Sequence, residues 1–279
     1  MSDIKCCEIN CELPIDANYW ESQYVAQTTK WDLGTIAPPL QQYINTLTDK
    51  SCSILIPGCG NGYEADYLLK NSFSNITVID IAPSPVAFLR EKHANNPNIK
   101  VIQGDFFVHL GQYNCIIEQT FFCAIPPFMR QKYLWKMHQL LTKNGILVGL
   151  LFNRLFVSGP PFGGSQKEYE ILFKNAFHIK KMEIAINSVS PRANSELFII
   201  FEKNTNVLVN LYELNGITCS NCAATIESKF TKIDDILQAS ISINFKEIII
   251  VSLSFIAIKK LQEALLYDMN YSITPHTIL

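Results

Sequence analysis

Short apolar runs alternate with helical patterns through the first two hundred residues. Continuous apolar runs are typical of strands buried on both faces, and they predict strands at 54–57, 76–80, 99–103, 115–119 and 145–152. Apolar residues at helical spacing predict helices at 64–70, 85–92, 130–141 and 167–176, and two further strands at 178–186 and 196–202 complete the series. This alternation predicts a mainly parallel α/β sheet with right-handed crossovers, whose ligand lies off the carboxyl ends of the strands.

A second rhythm begins after a polar break at 202–207. The pattern predicts strands at 208–214, 236–243, 245–252 and 271–277 and helices at 222–230 and 256–266. The order βαββαβ is typical of a small ferredoxin-like α+β domain. We therefore predict a flexible N-terminal tail over residues 1–16, a first domain over 17–204 and a second over 208–279.

A glycine-rich turn follows the first strand, with Gly58, Gly60 and Gly62. Glycines let a ligand approach the backbone closely. The second strand ends at Asp80, at the spacing where a carboxylate accepts hydrogen bonds from a ribose. A dinucleotide fingerprint needs another glycine where Tyr63 stands, which disfavours an NAD-dependent oxidoreductase. The Gly-x-Gly-x-Gly form resembles that of methyltransferases that use S-adenosylmethionine (SAM).

Composition narrows the possible partners. The chain has 279 residues, of which 48% are hydrophobic and 17% charged, with a net charge of −2. This is typical of a globular protein with a full core, and the absence of a lysine or arginine run disfavours a nucleic-acid partner. The first residues lack an apolar signal core, so we expect a cytoplasmic protein. The longest apolar run, 248–258, is shorter than the roughly 20 residues of a membrane span, so we expect no membrane partner.

Four motifs stand out along the first domain: Trp31-Asp-Leu-Gly34, Ile54-Leu-Ile-Pro-Gly-Cys-Gly60, Phe121-Phe-Cys-Ala-Ile125 with Met129-Arg130, and Gly159-Pro-Pro-Phe162. Together they resemble the thiopurine S-methyltransferase superfamily, and most closely its thiol and halide methyltransferase branch. The resemblance covers roughly residues 17–203 and keeps the order and spacing of the motifs. It implies a class I methyltransferase fold with a Rossmann-like seven-stranded sheet.

The resemblance also implies eight cofactor-binding residues. They are Trp20, Tyr24 and Trp31 over SAM, Gly58 at its methionine end, Asp80 at the ribose, Asp105 and Phe106 beside the adenine, and Gln119 near the methyl donor. Tyr24 and Gln119 depart from the family, in which tryptophan and tyrosine are common there. Asp105 also fits a plain solvated carboxylate at a strand end.

The expected chemistry is an in-line displacement at the sulfonium methyl group, with a small molecule as acceptor. Such a transfer depends on positioning and water exclusion and needs no covalent intermediate. No Ser/His/Asp or Cys/His arrangement is visible, so the sequence assigns no catalytic residue. Arg192 could attract an anionic substrate, although an arginine before a strand is more often on the surface, and Glu118 is ambiguous.

The second domain opens with Gly216-Ile-Thr-Cys-Ser-Asn-Cys222, which resembles the heavy-metal-associated domain of copper chaperones and metal-pumping ATPases. Cys219 and Cys222 lie at a helix N-terminus, where thiol pKa values fall. Two thiolates suit Cu(I), with Zn(II) or Hg(II) as other metals, supplied as the free ion or by a metal-donor protein. The alternative is a redox pair or inert thiols. Ile217 and Asn270 replace the usual methionine and glycine of this domain.

The remaining cysteines indicate no second metal site. Nine cysteines in a reducing compartment are expected to be free thiols or ligands. We expect Cys52, Cys59, Cys115 and Cys123 to be small buried hydrophobic residues. The others, Cys6, Cys7 and Cys11, lie in the predicted tail.

Two functions remain. The first is a SAM-dependent methyltransferase that acts on a thiol, halide or metalloid compound and carries a soft-metal-binding module. The second is a metal-binding or sensing protein in which the methyltransferase fold is a regulatory or vestigial SAM site. The glycines and Asp80 favour the first. Presence of both units on one chain adds the hypothesis that the enzyme detoxifies a soft metal or metalloid, or responds to metal load.

Overall fold

A computed structural model of the chain describes residues 14–265 and 270–276. These residues form a seven-stranded and a four-stranded sheet. The strands of the larger sheet are β1 (Ile54–Pro57), β2 (Ile76–Asp80), β3 (Ile99–Gln103), β4 (Tyr113–Gln119), β5 (Leu141–Phe152), β6 (Phe177–Ile184) and β7 (Glu196–Lys203). Their order is β3-β2-β1-β4-β5-β7-β6. Strands β1 to β5 pair in parallel, and β7 runs antiparallel to both β5 and β6.

Six helices accompany this sheet in the described residues: α1 (Ala17–Val25), α2 (Pro38–Thr46), α3 (Tyr63–Lys70), α4 (Pro83–Lys92), α5 (Arg130–Leu140) and α6 (Gln166–Phe173). Local sequence explains several boundaries. Proline begins α2 and α4, where its missing N–H is not needed. Ser165 and Glu168 form a reciprocal capping box at α6. Strands β1 and β2 are buried along their whole length, as their continuous apolar runs predict.

The C-terminal sheet is antiparallel, with the order β11-β8-β10-β9. Its elements are β8 (Leu208–Asn215), α7 (Ser220–Phe230), β9 (Ile236–Ile241), β10 (Glu247–Ser252), α8 (Ile258–Leu265) and β11 (Ser272–Pro275). One face of β10 carries Ile248 and Ile250, which pack in a core with residues of α7 and α8. The other face carries Ile249 and Val251, which join the core of the larger unit. The small sheet is therefore buried on both faces.

Helix α5 lies between the two sheets. Tyr133 and Met137 are fully buried in the core of the larger unit. Gln131 Nε2 donates to the carbonyl oxygen of Ile241 in β9 at 3.2 Å. The ring of Trp135 contacts that of His276, just after β11, edge-on at 5.5 Å between centroids. Helix α5, which is polar and aromatic, is therefore buried on both sides, because the C-terminal sheet covers the face that does not pack on the larger sheet.

The predicted elements all form, and the boundaries of most shift by one to three residues. The class I α/β fold is confirmed by the strand order, and the smaller unit is a separate antiparallel sheet. Cys59, Cys115 and Cys123 are buried as free thiols, whereas Cys52 is half-buried. The predicted tail up to residue 13, with Cys6, Cys7 and Cys11, and the segments 266–269 and 277–279 lie outside the described residues.

Across residues 14–265 and 270–276, the helices are all too short or too polar to cross a bilayer.

Candidate active site

A cavity of about 980 Å³ opens at the carboxyl ends of the parallel strands. Its walls come from α1, from the loop around Trp31, and from the segments that follow β1, β2, β3, β4 and β5. Binding sites in open α/β sheets form at this edge because each strand ends there in a loop that carries side chains. Seven of the eight predicted cofactor-binding residues line it: Trp20, Tyr24, Trp31, Gly58, Asp80, Asp105 and Phe106.

The glycine turn leaves no room for a side chain at its first position. Gly58 has a φ of +57°, and a Cβ added there would lie 2.5 Å from Cδ2 of Phe121. A Cβ added to Gly60 would lie 2.9 Å from the hydroxyl oxygen of Tyr24. The bare backbone of this turn therefore forms the floor of the cavity, flanked by aromatic rings from α1 and from the segment after β4.

Asp80 accepts hydrogen bonds from the backbone of the glycine turn and of the segment that follows β2. Its Oδ2 accepts a hydrogen bond from the Gly60 N–H at 2.9 Å, and its Oδ1 accepts one from the Ala82 N–H at 2.9 Å. Burial raises the pKa of this carboxyl, while the backbone donors lower it. Each carboxylate oxygen can accept two hydrogen bonds, so both keep capacity for a ligand hydroxyl. Asp80 thus fixes the glycine turn and can also bind a ligand in the cavity.

Three aromatic residues form the wall on the side of α1. The rings of Trp20 and Tyr24, one helical turn apart, both meet Trp31 edge-on, at 5.4 and 5.8 Å between centroids. Burial, and then the negative charge of Asp80, raise the pKa of the Tyr24 hydroxyl. The faces of such rings attract a cation such as a sulfonium, and their edges and faces can pack against an aromatic ligand.

Asp32 fixes the loop that carries Trp31. Its Oδ2 accepts hydrogen bonds from Asn61 Nδ2 at 2.5 Å and from the Tyr63 hydroxyl at 3.1 Å. Its Oδ1 accepts the Gly34 N–H at 2.6 Å. Sequence reasoning did not assign Asp32 a role, because its partners lie about 30 positions away along the chain.

The wall after β3 contains Asp105 and Phe106. Asp105 caps the short 3-10 helix Phe106–Val108 by accepting the Phe107 N–H at 2.8 Å. The Phe106 ring is buried and meets Phe121 edge-on at 5.0 Å between centroids. Asp105 therefore has a structural task at the strand end and also borders the cavity.

The lining from the segments after β4 and β5 is mainly apolar. It includes Cys123, Met129, Phe152, Pro160 and Pro161. Among the described lining residues of the segments after β4, β5 and β6, Arg192 is the charged one. This part of the lining therefore combines apolar side chains with one guanidinium group.

Arg192 is only 8% exposed, contrary to the surface position that is usual for such an arginine. One of its terminal nitrogens donates to the Trp31 carbonyl oxygen at 2.7 Å, and the other lies 3.3 Å from Glu196 Oε1. The missed signal is topological. Because β7 is antiparallel to β5, its first residue, Glu196, pairs with Phe152 at the carboxyl end of β5, so the segment before β7 belongs to the cavity edge.

Gln119 is the predicted residue that does not line the cavity. Thr120, which follows it, has a left-handed φ of 59° and turns the chain, so that Thr120 and Phe121 form the wall. Gln119 Oε1 is buried and has no hydrogen-bond partner in the described part of the chain. The resemblance placed Gln119 near the methyl donor, whereas in the structure the two residues that follow Gln119 line the cavity.

Residues of this cavity fit SAM. The turn at Gly58 would be filled by any side chain, and Asp80 has free acceptor capacity beside it. The volume lies within the range of small-molecule sites. Apolar and aromatic side chains lie beside both the Gly58 turn and Asp80.

Cys219 and Cys222 are bonded to each other in the structure, with Cα atoms 5.3 Å apart. This corrects the expectation of free thiols at these positions. Cys219 caps α7, and its sulfur accepts the Cys222 N–H at 3.2 Å, so the turn brings both sulfurs to one helix end. A disulfide offers no thiolate to a metal. Within the described ranges, no cluster of three or more metal-ligating side chains occurs.

Comparison with known proteins identifies the family of the larger unit. Residues 15–208 match the thiopurine S-methyltransferase (TPMT) family. The chain is 30% identical over 184 residues to probable thiol methyltransferase 2 of Arabidopsis thaliana, covering 63% of this chain and 81% of that protein. It is 25% identical over 189 residues to thiocyanate methyltransferase 1 of the same plant, covering 65% and 83%. Thiopurine S-methyltransferase of Pseudomonas aeruginosa is 23% identical over 190 residues, covering 61% and 87%.

Solved structures show the same fold. A Burkholderia thailandensis 1,6-didemethyltoxoflavin N1-methyltransferase with bound S-adenosylhomocysteine is similar with a TM-score of 0.56 at 15% identity, covering 67% of this chain and 87% of that one. TehB from Haemophilus influenzae gives a TM-score of 0.50 at 16% identity, covering 67% of each chain. The sheet order, the cavity and these similarities lead to one conclusion. The chain is a SAM-dependent methyltransferase and belongs to the thiopurine S-methyltransferase family.

Proposed function

We propose that this enzyme methylates a small, soft, anionic acceptor, such as a thiolate, thiocyanate, a halide or an anionic metalloid compound. The observation that carries this proposal is the cavity lining from the segments after β4, β5 and β6, in which Arg192 is the charged group among mainly apolar side chains. A guanidinium has five N–H groups, so donors remain after the bonds to Trp31 and Glu196. The similarity to a thiocyanate and a probable thiol methyltransferase supports the same acceptor class.

In this proposal, seven residues hold SAM: Trp20, Tyr24, Trp31, Gly58, Asp80, Asp105 and Phe106. We leave out Gln119 because it does not line the cavity. When bound, the sulfonium of SAM supplies an electrophilic methyl group. Arg192 attracts the anionic acceptor into the cavity. The apolar wall at Met129, Pro160 and Pro161 strips water from it, and a desolvated soft anion is a stronger nucleophile.

A general base has no task in this reaction. The acceptor enters as an anion, so no proton must be removed from it. Positioning and water exclusion are then the sources of rate, and well-oriented reactants can contribute about 7–11 kcal/mol of barrier lowering.

Release of S-adenosylhomocysteine tests the proposal. Iodide, thiocyanate, hydrosulfide and an aromatic thiol are compared with an amine and an alcohol at the same concentration. We expect release with the soft anions and none above background with the amine or the alcohol. Transfer to the amine or alcohol alone would contradict the proposed acceptor class.

Variants of Arg192 test its role. Arg192→Gln removes the charge, and we expect the KM for thiocyanate to rise about tenfold, equivalent to about 1.4 kcal/mol. Arg192→Lys keeps the charge with fewer donors, and we expect a smaller rise. The KM for SAM is measured in both, because Arg192 also bonds the Trp31 carbonyl oxygen. Equal acceptor KM values in all three proteins would remove Arg192 from the proposal.

We also propose that the C-terminal unit is a ferredoxin-like heavy-metal-associated domain that binds a soft metal through Cys219 and Cys222 after reduction. Support comes from the βαββαβ order of its elements and from the two sulfurs at the N-terminus of α7. Cu(I) is the expected metal, because two thiolates satisfy its low coordination number. In the reduced protein, the N–H groups of the first turn of α7 stabilise the thiolates.

Competition for Cu(I) with a chromogenic chelator tests this second proposal. We expect the reduced full chain to bind one equivalent that is lost in Cys219→Ser/Cys222→Ser. The Cys52→Ser variant is the matched control, because Cys52 is a half-buried free thiol elsewhere in the fold. Equal Cu(I) binding by the double variant and the wild type would refute the assignment.

A further inference from the structure

Glu118, the last residue but one of β4, has no role in the mechanism above. Its side chain is 0% exposed, and it lies behind the cavity wall. Oε1 accepts two hydrogen bonds, from the Phe121 and Phe122 N–H groups, each at 2.8 Å. Burying a carboxylate costs free energy unless hydrogen bonds compensate for the lost water. The two N–H groups that bond to Glu118 indicate which part of the structure its carboxylate holds in place.

Both N–H groups belong to the turn that carries the cavity wall. The turn begins at Thr120, whose left-handed φ of 59° is unusual for a β-branched residue. Cys123 Sγ lies 3.2 Å from the Thr120 carbonyl oxygen, and the Ala124 N–H donates to the Phe121 carbonyl oxygen at 3.0 Å. A strained turn persists only where its surroundings hold it. The two bonds to Glu118 supply that hold.

The two phenylalanines that Glu118 fixes face different ways. The Phe121 ring lies against Gly58 and meets Phe106 edge-on at 5.0 Å, so it joins the glycine turn to the adenine side of the cavity. Phe122 packs behind the wall, with the Tyr133 ring at 4.8 Å and the Arg130 guanidinium at 5.1 Å. The position of one carboxylate thus sets the positions of both layers of the wall.

The neighbouring strand lies close to Glu118. Gly149 of β5 pairs with Glu118 across the sheet, and a Cβ added to Gly149 would lie 2.8 Å from the backbone carbonyl oxygen of Glu118 and 2.9 Å from its Oε2. Oε2 itself has no hydrogen-bond partner among the described residues. The glycine is therefore needed for the close approach of both the backbone and the side chain of Glu118.

We propose that Glu118 is a positioning residue whose ionised carboxylate holds the Thr120–Phe122 turn against the glycine turn, and that its protonation loosens the cavity and lowers activity. This inference rests on the proposed function, because it concerns the same cavity. Ionised carboxylates accept N–H bonds about twice as strong as those of neutral acceptors. The protonated form therefore holds the turn less firmly.

The charged and titratable groups around Glu118 place this transition near neutral pH. Burial, with a smaller contribution from Glu196, raises the pKa of Glu118 to about 7, against the lowering effect of the Phe122 and Phe121 N–H donors. Glu118 in turn raises the pKa of Cys123 and Tyr133, whose pKa values burial raises first, so both stay neutral. Arg192 faces Cys123 from the segment before β7. Glu118 is therefore the member of this group that changes charge near pH 7.

The test uses iodide or thiocyanate as acceptor, because neither changes charge between pH 5 and 9. For the wild type, we expect kcat/KM to fall toward tenfold per pH unit below about pH 7. In Glu118→Gln, we expect this acid limb to disappear and the KM for SAM to rise about tenfold at pH 8. Glu64→Gln is the matched control, because burial also raises the pKa of Glu64 to about 7, and we expect it to keep the limb.

Glu118→Asp separates the effect of the charge from the effect of the side-chain length. It keeps the acid but shortens the side chain by one methylene, so we expect a raised KM with the acid limb retained. This variant also decides the question if Glu118→Gln does not fold. An unchanged acid limb and KM in Glu118→Gln, or an unchanged KM in Glu118→Asp, would overturn the inference.

The affinity for S-adenosylhomocysteine provides a readout that does not need methyl transfer. By calorimetry, we expect wild-type affinity to fall between pH 8 and pH 6 and that of Glu118→Gln to stay constant. If the wild type shows this change but methylates none of the acceptors, the proposed function fails and the role of Glu118 stands. If methyl transfer occurs and the change in affinity is the same in both proteins, the role of Glu118 fails alone.

Discussion

Adding one methyl group at Gly58 should separate the ligand site from the rest of the fold. In Gly58→Ala, the new Cβ would lie 2.5 Å from Cδ2 of Phe121, whereas ordinary contact begins near 3.4 Å. The Phe121 ring must move by roughly 1 Å to reach normal carbon–carbon separation. Because this ring lines the cavity, its displacement changes the space available to SAM.

The magnitude follows from two contributions. A left-handed φ such as the +57° of Gly58 costs a residue with a Cβ about 1–2 kcal/mol. Overpacking by one methyl group costs about 1–3 kcal/mol more, so we expect a total loss of about 2–5 kcal/mol in the free energy of unfolding. If the displaced ring occupies space that SAM needs, the second contribution also weakens binding, by about 5- to 150-fold.

Gly34→Ala is the matched control, because Gly34 has a φ of +69° and no atom within 4 Å of an added Cβ. We expect it to lose about 1–2 kcal/mol of stability from backbone strain and to keep its affinity for SAM. Isothermal calorimetry with SAM and denaturant unfolding measure the two effects in each protein. Equal SAM affinities in Gly58→Ala and the wild type would refute the assignment of this turn to the cofactor.

Three further predictions concern other parts of the molecule. Asp32→Ala should weaken SAM binding about tenfold, or 1.4 kcal/mol, because the loop carrying Trp31 loses its bonds to the glycine turn; calorimetry showing unchanged affinity would contradict this. Burial lowers the pKa of His138 from 6.5 to about 4, so the fold keeps its full stability above pH 6.5 and loses about 3 kcal/mol as the pH falls from 6.5 through 4. The free energy of unfolding of His138→Gln should therefore depend less on pH over this range than that of the wild type. The same pH dependence in both proteins would contradict this prediction. Cys219→Ser/Cys222→Ser should leave SAM affinity within about twofold of wild type by calorimetry, and a larger change would show coupling between the units.

The large sheet was predictable because its central strands are buried on both faces. Such strands appear in the sequence as unbroken apolar runs, and the runs of β1 and β2 are buried at every position. The ends of helices and strands were less predictable. For example, β5 begins at Leu141, four residues before the predicted start. The reason is that the strand begins with a polar segment, Thr142 to Asn144, next to the register shift in its pairing with β4.

The cavity lining was predictable where a local motif marks it. Gly58 and Asp80 line the cavity, as the glycine turn and the acid at a strand end predict, whereas Asp32 and Arg192 are held by partners far away in the sequence. A single sequence carries no record of such pairs. The sequence named Arg192 as a candidate for attracting an anion, but its burial at the cavity follows only from topology, since a strand antiparallel to β5 must begin at the cavity edge.

The packing of the C-terminal unit on α5 was not predicted, although the sequence contained a signal. Residues 248–251 are apolar without a break, and a strand of a sheet with one solvated face would alternate. The partner surface on α5 was hidden because it is polar. Its Gln131 is buried by hydrogen bonds to Ser240 and Ile241 rather than by apolar contact.

A crystal structure with S-adenosylhomocysteine tests the central claim most directly. The account predicts the ligand in the cavity at the carboxyl ends of β1 to β5, with its amino-acid end at Gly58, its ribose hydroxyls on Asp80 and its adenine beside Asp105 and Phe106. A ligand bound elsewhere, or one in this cavity that makes no contact with Asp80, would contradict it.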